Sequence, residues 1–468
     1  MEINGKKVDE YQLKAITTNQ SLLLIAAAGS GKTFTIMGKI YHLINNLKIN
    51  PENILIISFT NKSVNDLKNK IFNNIDIYTF HKLAQDILKH NHISYQLADP
   101  NLLEYITNEY FYSYCNEEKK LKLLKKYDLY NYDTFLKSNH LKSLKKLIIT
   151  FIHLFKTNNT SLSKLKKIYH NNSFIMTIIL EIYALYTQEL KSYNCLDFDD
   201  LIIEATKYTK NYKNYQYIII DEFQDTSYIR WNLVNSIRQH NNSIIFAVGD
   251  DYQSIFKFSG CDLNIFLDFE KLVPDSIILK LKYTYRNSQE LIDICSKFIS
   301  KNTNQIHKCL LSPMHLKNPI KIVNYLNPIK ALKKLLNKLI KEYDDILILG
   351  RNNFDLKNFI DKTYIYKNNK LIYQNKEINY MSVHSSKGLE ASVVILINLT
   401  NSIYGFPNKI VNDVILEELS PSDKSILDAE ERRLFYVALT RTKNEVYLLT
   451  PFFQKSYFVK EIKKIIKS

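Results

Sequence analysis

The stretch "SLLLIAAAGSGKTFTIMGKIYHLI" (21–44) limits the possible fold more than any other part of the chain. Its apolar run, short glycine-containing loop and following amphipathic segment predict a buried strand, a tight turn and a helix. The loop "AAAGSGKT" (26–33) has P-loop spacing, with Ala26 in the first glycine position. In such a loop, backbone N–H groups and the helix start form a nest for phosphate oxygens. The sequence therefore predicts an α/β fold with a phosphate-binding loop after a buried strand.

Glycine is scarce, which gives the two glycines of this loop more weight. Only nine glycines occur in 468 residues. A glycine retained against this background marks a position where the backbone needs a missing Cβ. Gly29 and Gly31 are therefore expected to have conformations or contacts that a side chain would prevent.

Strands and helices alternate along most of the chain, which is typical of parallel α/β sheets. A second strand–loop–helix unit is "NILIISFTNKSVNDLKNKI" (53–71). By contrast, residues 86–195 have helical periodicity and carry no chemical motif. Two parallel sheets are expected, with a helical insertion inside the first. The further strand-like segments are 215–223 and 243–250, and then a second set at 276–283, 345–350, 378–384, 392–399 and 446–450.

Paired acids end another apolar strand, "IIIDEFQDTS" (218–227). In a P-loop protein, Lys32 reaches the β- and γ-phosphates and Thr33 is a ligand of Mg²⁺. A carboxylate at a strand end, here Asp221, can hold the same ion. The next carboxylate, Glu222, can orient and deprotonate water. The alternative is that both acids are solvated caps of the strand.

Arginine is even scarcer than glycine. The chain has 63 Lys and Arg together, and seven of these are Arg. A position that keeps Arg is expected to need its planar, bidentate guanidinium. Arg286 and Arg441 lie far from Lys32 along the chain, so we predict that they reach the γ-phosphate from the second half as arginine fingers. The alternative partners for Arg441, Glu430 and Glu431, are too distant for a local helical pair. Arg432 and Arg433 are predicted to form structural pairs on their helix.

The net charge of +16 favours a polyanionic partner, most simply nucleic acid. A solvated lysine-rich surface is the alternative. The five cysteines have no C-x-x-C spacing, which speaks against a zinc ribbon or a disulfide framework and fits a reducing compartment. The first residues do not have the pattern of a signal peptide, and no apolar run approaches about 18 residues, so no membrane helix is expected.

A series of motifs, in order along nearly the whole chain, resembles the superfamily 1 DNA helicases of the UvrD/Rep type. "YQLKAI" (11–16) resembles the Q motif, with Gln12 reading adenine. "DEFQD" (221–225) resembles the Walker B motif, and "VGDDYQSIFKFSG" (248–260) resembles motif III, with Gln253 coupling the γ-phosphate to DNA. "TYRNS" (284–288) resembles motif IV, with Tyr285 stacking on adenine. The remaining matches are "FTNKSV" (59–64), "TFHKLA" (79–84), "LDFDDLI" (196–202), "SVHSSKGLEA" (382–391) and "EERRLFYVALTRTK" (430–443).

The resemblance adds residues to the two candidate sites. For the nucleotide it implies contacts from the P-loop residues Ala27, Ala28, Gly29, Ser30, Gly31, Lys32, Thr33 and Phe34, and from Gln12, Lys39, Tyr285 and Glu390. For nucleic acid it implies contacts from Phe59, Thr60, Asn61, Phe80, His81, Phe256, Phe258 and His384. Aromatic side chains on loops after strands can stack on bases without sequence preference. Core packing is the alternative for each Phe, and capping of a strand is the alternative for His384.

The chain also departs from the family pattern in three places. Phe258-Ser259-Gly260 stands where the family has an aromatic residue followed by Arg and Gly. Together with "TYR" in motif IV, "GLEA" in motif V and "YGFP" (404–407) after it, this resembles the helicase-IV-like branch. Lys39 stands where an arginine near the base is common, and a lysine stacks less well. Only about thirty residues separate Arg351 from Ser382, too few for the family's 2B domain.

The resemblance implies two RecA-like domains, one formed by 1–85 and 196–275 and the other by 276–468, with 86–195 as insertion 1B and no 2B domain. It implies an ATP-dependent 3′→5′ DNA helicase or single-stranded DNA translocase that uses ATP and Mg²⁺. Single-stranded and tailed duplex DNA are its implied substrates, and a loading protein is a candidate partner. A monomer-capable protein of the cytoplasm or nucleoid is expected, with no membrane contact. The alternatives are a translocase that unwinds poorly and an ATP-gated DNA clamp without turnover; the residues alone leave RNA open as the track.

Overall fold

The computed structural model describes residues 2–3, 5–71, 74–158, 160–410, 413–419 and 428–467. Its strands are β1 (Glu2–Ile3), β2 (Lys6–Lys7), β3 (Leu22–Ile25), β4 (Ile54–Ser58), β5 (Asp76–Thr79), β6 (Gln96–Leu97), β7 (Cys195–Leu196), β8 (Tyr217–Ile220), β9 (Ile244–Gly249), β10 (Ile277–Lys280), β11 (Ile320–Tyr325), β12 (Ile346–Gly350), β13 (Ile365–Lys367), β14 (Lys370–Tyr373), β15 (Lys376–Ser382), β16 (Ala391–Leu396) and β17 (Thr442–Pro451).

Helices connect most of these strands and form a separate group before β7. They are α1 (Glu10–Thr17), α2 (Lys32–Tyr41), α3 (Asn61–Lys68), α4 (Phe80–His90), α5 (Leu102–Glu109), α6 (Glu117–Lys126), α7 (Tyr132–Leu136), α8 (Asn139–Thr157), α9 (Leu162–Asn171), α10 (Ser173–Ser192), α11 (Phe198–Thr206), α12 (Tyr228–Asn241), α13 (Leu263–Leu267), α14 (Phe269–Leu272), α15 (Gln289–Ile299), α16 (Pro328–Glu342), α17 (Val414–Leu419), α18 (Ala429–Leu439) and α19 (Tyr457–Lys467).

The first sheet has the strand order β10-β3-β9-β8-β4-β5, and all of its pairs are parallel. Strands β3, β4 and β8 consist of continuously buried residues. Continuous apolar runs are expected where helices cover both faces of a parallel sheet. Separate apolar clusters lie on its two faces. The carboxyl ends of these strands therefore share one edge, where the P-loop and the paired acids are placed together.

Strand β10 corrects one prediction. The sequence pattern assigned 276–283 to the second set of strands, but Ile277 pairs with Leu22 and Lys280 pairs with Ile25 in the first sheet. The short helices α13 and α14 form the crossover that brings β10 beside β3. Periodicity identifies a strand without showing which sheet edge it joins, so this placement required tertiary structure. The predicted domain bounds otherwise remain predictions.

The predicted helical insertion is present as helices α5 to α10, with an apolar core of its own. The long helices α8 and α10 supply many of its buried side chains. Helix α17, which comes from the later part of the chain, adds Ile415 and Leu419 to the same core. The Lys164 ammonium donates to the Leu419 carbonyl at 2.8 Å. Helix α17 thus links the insertion to the second half of the chain.

The described part of the chain contains no helix that is both long enough and apolar enough to cross a membrane.

The second sheet has the order β11-β17-β16-β12-β15-β14-β13. Pairs from β11 to β15 are parallel, as predicted, whereas β15-β14 and β14-β13 are antiparallel. The predicted α/β fold is confirmed, with a mixed edge that was not expected. Residues 365–373 form a hairpin whose turn residues Asn368 and Asn369 both have positive φ, as a tight type I′-like turn requires. This hairpin occupies the interval between Arg351 and Ser382.

Candidate nucleotide and nucleic-acid site

The P-loop has the backbone geometry that the sequence predicted. Strand β3 ends at Ile25 and helix α2 begins at Lys32. Gly29 and Gly31 have φ values of +72° and +81°, in the left-handed region that favours glycine. No side chain caps the start of α2. The N–H groups of the loop and first turn can therefore bind phosphate oxygens.

The paired acids face this loop. The Lys32 ammonium lies 3.4 Å from Glu222 Oε2, which also accepts a hydrogen bond from the Gln224 amide at 2.5 Å. Glu222 has a φ of +53°, an uncommon conformation for a residue with a side chain and one that clusters at functional sites. Burial raises the pKa of Glu222, but the Lys32 and Lys387 ammonium groups outweigh it and lower that pKa to about 2. Glu222 is therefore an ionised acceptor beside the phosphate nest.

Asp221 and Thr33 form a donor set that fits Mg²⁺. Asp221 directly follows β8, and Thr33 lies in the first turn of α2. Burial, together with the neighbouring Glu222 carboxylate, raises the pKa of Asp221 to about 7, so a cation here would relieve unfavourable negative charge. Carboxylate and hydroxyl oxygens suit Mg²⁺, which is commonly held by one or two protein ligands plus phosphates and water. In the described ranges no group of three or more His, Cys, Asp or Glu could hold a metal ion.

The predicted adenine contacts lie on one side of the P-loop. The side chain of Gln12 is buried, and its Nε2 donates to the Ser30 carbonyl at 3.4 Å. Tyr285 is half exposed, and its hydroxyl donates to Asp9 Oδ2 at 2.9 Å. Asp9 and Gln12 also form the capping box of α1. A hydrogen-bonding amide and an exposed aromatic ring thus border the same end of the loop.

Lys39 does not join these residues, which corrects the prediction of a nucleotide contact. Its side chain is 1% exposed, and its ammonium donates to the carbonyls of Ile16, at 3.1 Å, and Thr18. Burial lowers the pKa of Lys39 to about 8. Because Lys39 lies two helical turns after Lys32, its side chain reaches the end of α1 rather than the phosphate nest. Its role is to satisfy carbonyls at the C-terminus of that helix.

Arg286 sits directly against the P-loop. The Tyr285 N–H donates to the Gly29 carbonyl at 2.9 Å, and the Thr284 hydroxyl donates to the Ala28 carbonyl at 2.8 Å. A Cβ on Gly29 would lie 2.4 Å from the Arg286 Cβ, so this glycine is required for close approach. The Arg286 guanidinium pairs with Glu390 at 2.8 Å. Glu390 directly precedes β16, and this pair therefore joins the P-loop to the second sheet.

Arg441 provides a second connection between the two sheets. It directly precedes β17, and its Nη2 donates to Gln253 Oε1 at 2.9 Å. Gln253 lies in the loop after β9, and its Nε2 donates to Asp250 Oδ2 at 2.6 Å. Arg441 is 1% exposed, and burial together with Arg286 lowers its pKa to about 9. The predicted Arg441 and Gln253 are thus in direct contact across the junction of the two sheets.

Arg432 has its ion-pair partner on another helix, which corrects the expectation of a local pair, and Arg433 also has a partner outside α18. Arg432 pairs with Glu461 of α19 at 2.7 Å and lies against the rings of Phe298 and Phe458. Arg433 donates from Nε to the Ser254 carbonyl at 2.7 Å. Arg433 therefore also reaches the loop after β9.

Four of the predicted nucleic-acid residues form one aromatic cluster. Phe59 stacks on Phe256 with ring centroids 5.5 Å apart and an interplanar angle of 15°. Phe258 meets the edge of Phe256 at 5.9 Å and of His384 at 5.5 Å. Phe258 is 58% exposed. The cluster joins loops after β4 and β9 of the first sheet to the loop after β15 of the second, and it presents a ring to solvent.

The other predicted nucleic-acid residues divide between core and surface. Phe80 is 4% exposed and belongs to the apolar core beneath the first sheet, so the prediction that it stacks on a base is corrected. Thr60 caps helix α3 by accepting from the Ser63 N–H at 3.1 Å, and Asn61 begins that helix at the surface. His81 packs against the edge of Phe198 at 5.3 Å. Burial lowers the pKa of His81 to about 4, so this ring is neutral at pH 7.

Three residues extend these sites beyond the predictions. Lys387 contacts Asp225 Oδ2, donates to the Gln253 carbonyl at 2.8 Å and lies 5.1 Å from the Phe256 ring centroid. The Arg230 guanidinium lies 4.9 Å from the Phe59 ring centroid, and the Phe198 ring is half exposed. Lys387 could have been proposed from the sequence, because it lies in the "SSKGLE" stretch (385–390) that also contains Glu390. Arg230 could also have been proposed, because it is one of only seven arginines in the chain.

Comparison with known proteins finds family matches in both halves of the chain. Residues 8–274 match the UvrD/REP helicase N-terminal domain, and residues 324–451 match the UvrD-like helicase C-terminal domain. The ATP-dependent DNA helicase Rep of Buchnera aphidicola subsp. Schizaphis graminum is 32% identical over 374 residues, which cover 75% of this chain and 54% of the relative. DNA helicase IV of Escherichia coli is 27% identical over 500 residues, which cover 99% of this chain and 71% of the relative. DNA helicase II of Rickettsia typhi is 29% identical over 372 residues, covering 75% and 54%.

The chain spans between about half and seven-tenths of the length of these relatives. The resemblance drawn from the motifs is confirmed by both family matches. Since the N-terminal match alone covers more than half of the chain, we conclude that the chain belongs to the UvrD/REP helicase family.

Proposed function

We propose that the chain is an ATP-dependent DNA helicase and single-stranded DNA translocase that moves 3′→5′. The observation that carries the proposal is the hydrogen bond from Arg441 to Gln253, which joins the two sheets beside the phosphate nest. Family membership and relatives that are named DNA helicases support DNA as the substrate. The polarity rests on the family resemblance of the motifs.

The residues around the P-loop support hydrolysis of ATP. The loop N–H groups and Lys32 would bind the phosphates, and Glu222 would orient and deprotonate the attacking water. Mg²⁺, held by Thr33 and Asp221, would neutralise charge that develops on the phosphate oxygens. Arg286 and Arg441 would stabilise the same charge from the second half of the chain, because a guanidinium donates several hydrogen bonds in a fixed plane.

One chain of contacts supports coupling between nucleotide and DNA. Gln253 accepts from Arg441 on the nucleotide side, and its own carbonyl accepts from Lys387. The Lys387 ammonium lies against Phe256 in the aromatic cluster. A phosphate that displaces the contact between Arg441 and Gln253 would therefore shift the loop that carries Phe256 and Phe258. Repeated closing and opening of the two halves would move the cluster along a strand by stacking on successive bases.

We further propose single-stranded and tailed duplex DNA as substrates, a monomer as the working unit, a loading protein as a partner, and action in the reducing cytoplasm or nucleoid. All five cysteines are free thiols, which supports the reducing compartment. The exposed ring of Phe258 and the net charge of +16 support a nucleic-acid substrate.

Strand displacement tests the proposal directly. Duplexes with a 3′ tail, a 5′ tail or no tail are incubated with the protein and Mg-ATP, and ATP hydrolysis is followed in parallel. Displacement from the 3′-tailed duplex alone is expected, and Glu222→Gln should abolish it. Displacement from the 5′-tailed duplex alone would contradict the polarity. DNA-stimulated hydrolysis without displacement would leave a translocase that unwinds poorly, and ATP-dependent binding without hydrolysis would leave a clamp.

A further inference from the structure

Lys308 lies outside every motif, yet its side chain is among the most buried cations of the described residues. It follows α15 in the loop "NTNQIHKCLL" (302–311) and is 3% exposed. Its ammonium contacts Asp250 Oδ1, lies 2.5 Å from Asp251 Oδ1 and is 3.5 Å from the Tyr252 ring centroid. Both carboxylates are fully buried. One cation therefore compensates two acids at the end of β9.

The Asp250 carboxylate has a second partner, the side-chain amide of Gln253. Its Oδ2 accepts from Gln253 Nε2 at 2.6 Å, and the other end of that amide accepts from Arg441 at 2.9 Å. A side-chain amide has its donor and acceptor on opposite sides. An ionised Asp250 can only accept, so it selects the orientation in which Gln253 Oε1 faces the Arg441 guanidinium.

The loop that carries Lys308 is itself held in place from both halves of the chain. The Gln305 amide donates to the Asp251 carbonyl at 2.9 Å, and the Ile306 N–H donates to Asp251 Oδ2 at 2.9 Å. Asn302 donates to the Ala429 carbonyl, at the start of α18, at 3.0 Å. Lys308 is thus delivered to Asp250 by a fixed backbone and not by a mobile surface chain.

We infer that Lys308 is a positioning residue, which keeps Asp250 in the form that holds Gln253 toward Arg441. The inference rests on the proposed function, since it assigns Lys308 a part in coupling DNA binding to ATP hydrolysis. Without the ammonium, the two buried carboxylates lose the cation that contacts both of them, and one takes up a proton. A protonated Asp250 can donate as well as accept, so the amide of Gln253 is free to turn its NH₂ group toward Arg441 and break the contact.

The pKa shifts of Lys308 and Asp250 agree with this pairing. Burial lowers the pKa of Lys308, but Asp250 and Asp251 outweigh burial and raise it. Burial raises the pKa of Asp250, but Lys308 outweighs burial and lowers it.

The test compares Lys308→Met, Lys308→Arg and a matched control, Lys156→Met. The Lys156 side chain is 5% exposed and also bridges two carboxylates, Asp197 and Asp200. Among the described residues, its contacts include none with Asp250, Gln253 or Arg441. Steady-state ATP hydrolysis is measured with and without an oligo-dT strand, together with KM for ATP, Kd for the strand and Tm. Lys308→Met should lower the ratio of stimulated to basal kcat about tenfold, the scale of a lost hydrogen bond to a charged group. KM and Kd should change little, Lys308→Arg should restore much of the ratio, and Lys156→Met should lower Tm alone.

A second comparison asks whether Lys308 acts through Gln253. Because contacting residues are not additive, Lys308→Met should cost no further stimulation in a Gln253→Ala background. Asp250→Ala, which leaves Lys308 and Asp251 as a neutral pair, should lose the ratio as Gln253→Ala does, and it decides the matter if Lys308→Met does not fold. A wild-type ratio in Lys308→Met or Asp250→Ala, or additive losses in the double variant, would overturn the inference. A wild-type protein that DNA does not stimulate would overturn the proposed function and the inference with it.

Discussion

Arg441 makes three side-chain contacts in a setting with almost no solvent. Its Nε donates to the Val437 carbonyl at 3.0 Å, and its Nη1 donates to the Leu389 carbonyl at 3.3 Å. Its Nη2 donates to Gln253 Oε1 at 2.9 Å. Arg286 repels it from nearby, and its pKa is lowered to about 9 as burial and that repulsion both disfavour the charge. Such a guanidinium is held for its geometry, because a lysine has a single nitrogen and cannot donate in three directions from one plane.

Arg441→Lys should therefore retain nucleotide binding and lose turnover. The P-loop of the first half supplies most phosphate contacts, so the KM for ATP should change little. Hydrolysis should fall by as much as ~10³-fold, the scale associated with arginine fingers. Arg432→Lys is the control, because Arg432 pairs with Glu461 of α19 and should affect Tm more than turnover. Normal hydrolysis by Arg441→Lys would leave Arg286 as the remaining candidate finger.

Glu222 gives the second prediction at this scale. Glu222→Gln keeps the size of the side chain and removes its basicity, so hydrolysis should slow at least ~10²-fold while Mg-ATP and DNA still bind. Steady-state hydrolysis and nucleotide binding check this. Glu181→Gln is a matched control, since Glu181 also accepts from a lysine, Lys119, at 2.7 Å but lies in the insertion. Near-normal turnover in Glu222→Gln would make Glu222 a cap of β8.

Residues that phosphate chemistry requires could be proposed from the sequence, and residues whose partners are brought near only by tertiary packing could not. The P-loop, the paired acids and Arg441 follow from spacing and scarcity, because phosphate chemistry requires those groups. Lys39 and Lys308 are indistinguishable from surface lysines in a chain with 63 Lys and Arg. Their partners are carbonyls of α1 and carboxylates after β9, which only tertiary packing brings near.

At the scale of elements, the loops after β4, β9 and β15 act as a unit because their aromatic rings touch. The loops belong to different sheets, so their contacts also report how the sheets are placed. The sequence predicted that aromatic residues follow these strands. It did not predict the edge strands of either sheet, because β10 joins the first sheet and β13 and β14 form a hairpin at the edge of the second. An apolar sequence pattern predicts a strand without identifying its sheet, because strand partners depend on the path of the whole chain.

The aromatic cluster predicts a separation of binding from stability. Phe258 is exposed, so Phe258→Ala should weaken single-stranded DNA binding by about 1–3 kcal/mol with little change in Tm. Phe80→Ala is the contrasting variant, because deleting a buried Phe costs about 3–5 kcal/mol of folding free energy. Fluorescence anisotropy with oligo-dT and thermal melting measure the two effects. Unchanged affinity with a lowered Tm in Phe258→Ala would assign this ring to the core.

At the scale of the whole molecule, contacts join the first sheet, the second sheet and the helical insertion at several places. The arginine contacts near the P-loop join the two sheets, and α17 joins the second half to the insertion through Ile415 and Leu419. A movement of the second sheet on ATP binding would therefore also displace the insertion, because α17 packs in its core. This arrangement suits a motor in which closure at the nucleotide changes the grip on a strand elsewhere.

The net charge of +16 gives the last prediction, because it belongs to the molecule and not to one site. Binding of a single strand releases counter-ions, so the logarithm of the binding constant should fall linearly with the logarithm of salt concentration, by about 0.7 for each phosphate neutralised. Phe258→Ala should move this line to lower affinity and leave its slope unchanged, since the slope counts ionic contacts and stacking is not one of them. Anisotropy titrations of oligo-dT over a series of salt concentrations, with wild type and Phe258→Ala in parallel, give both lines. A wild-type line without slope would mean that the basic residues form a solvated surface, and a slope that changes in Phe258→Ala would mean that the ring positions charged groups.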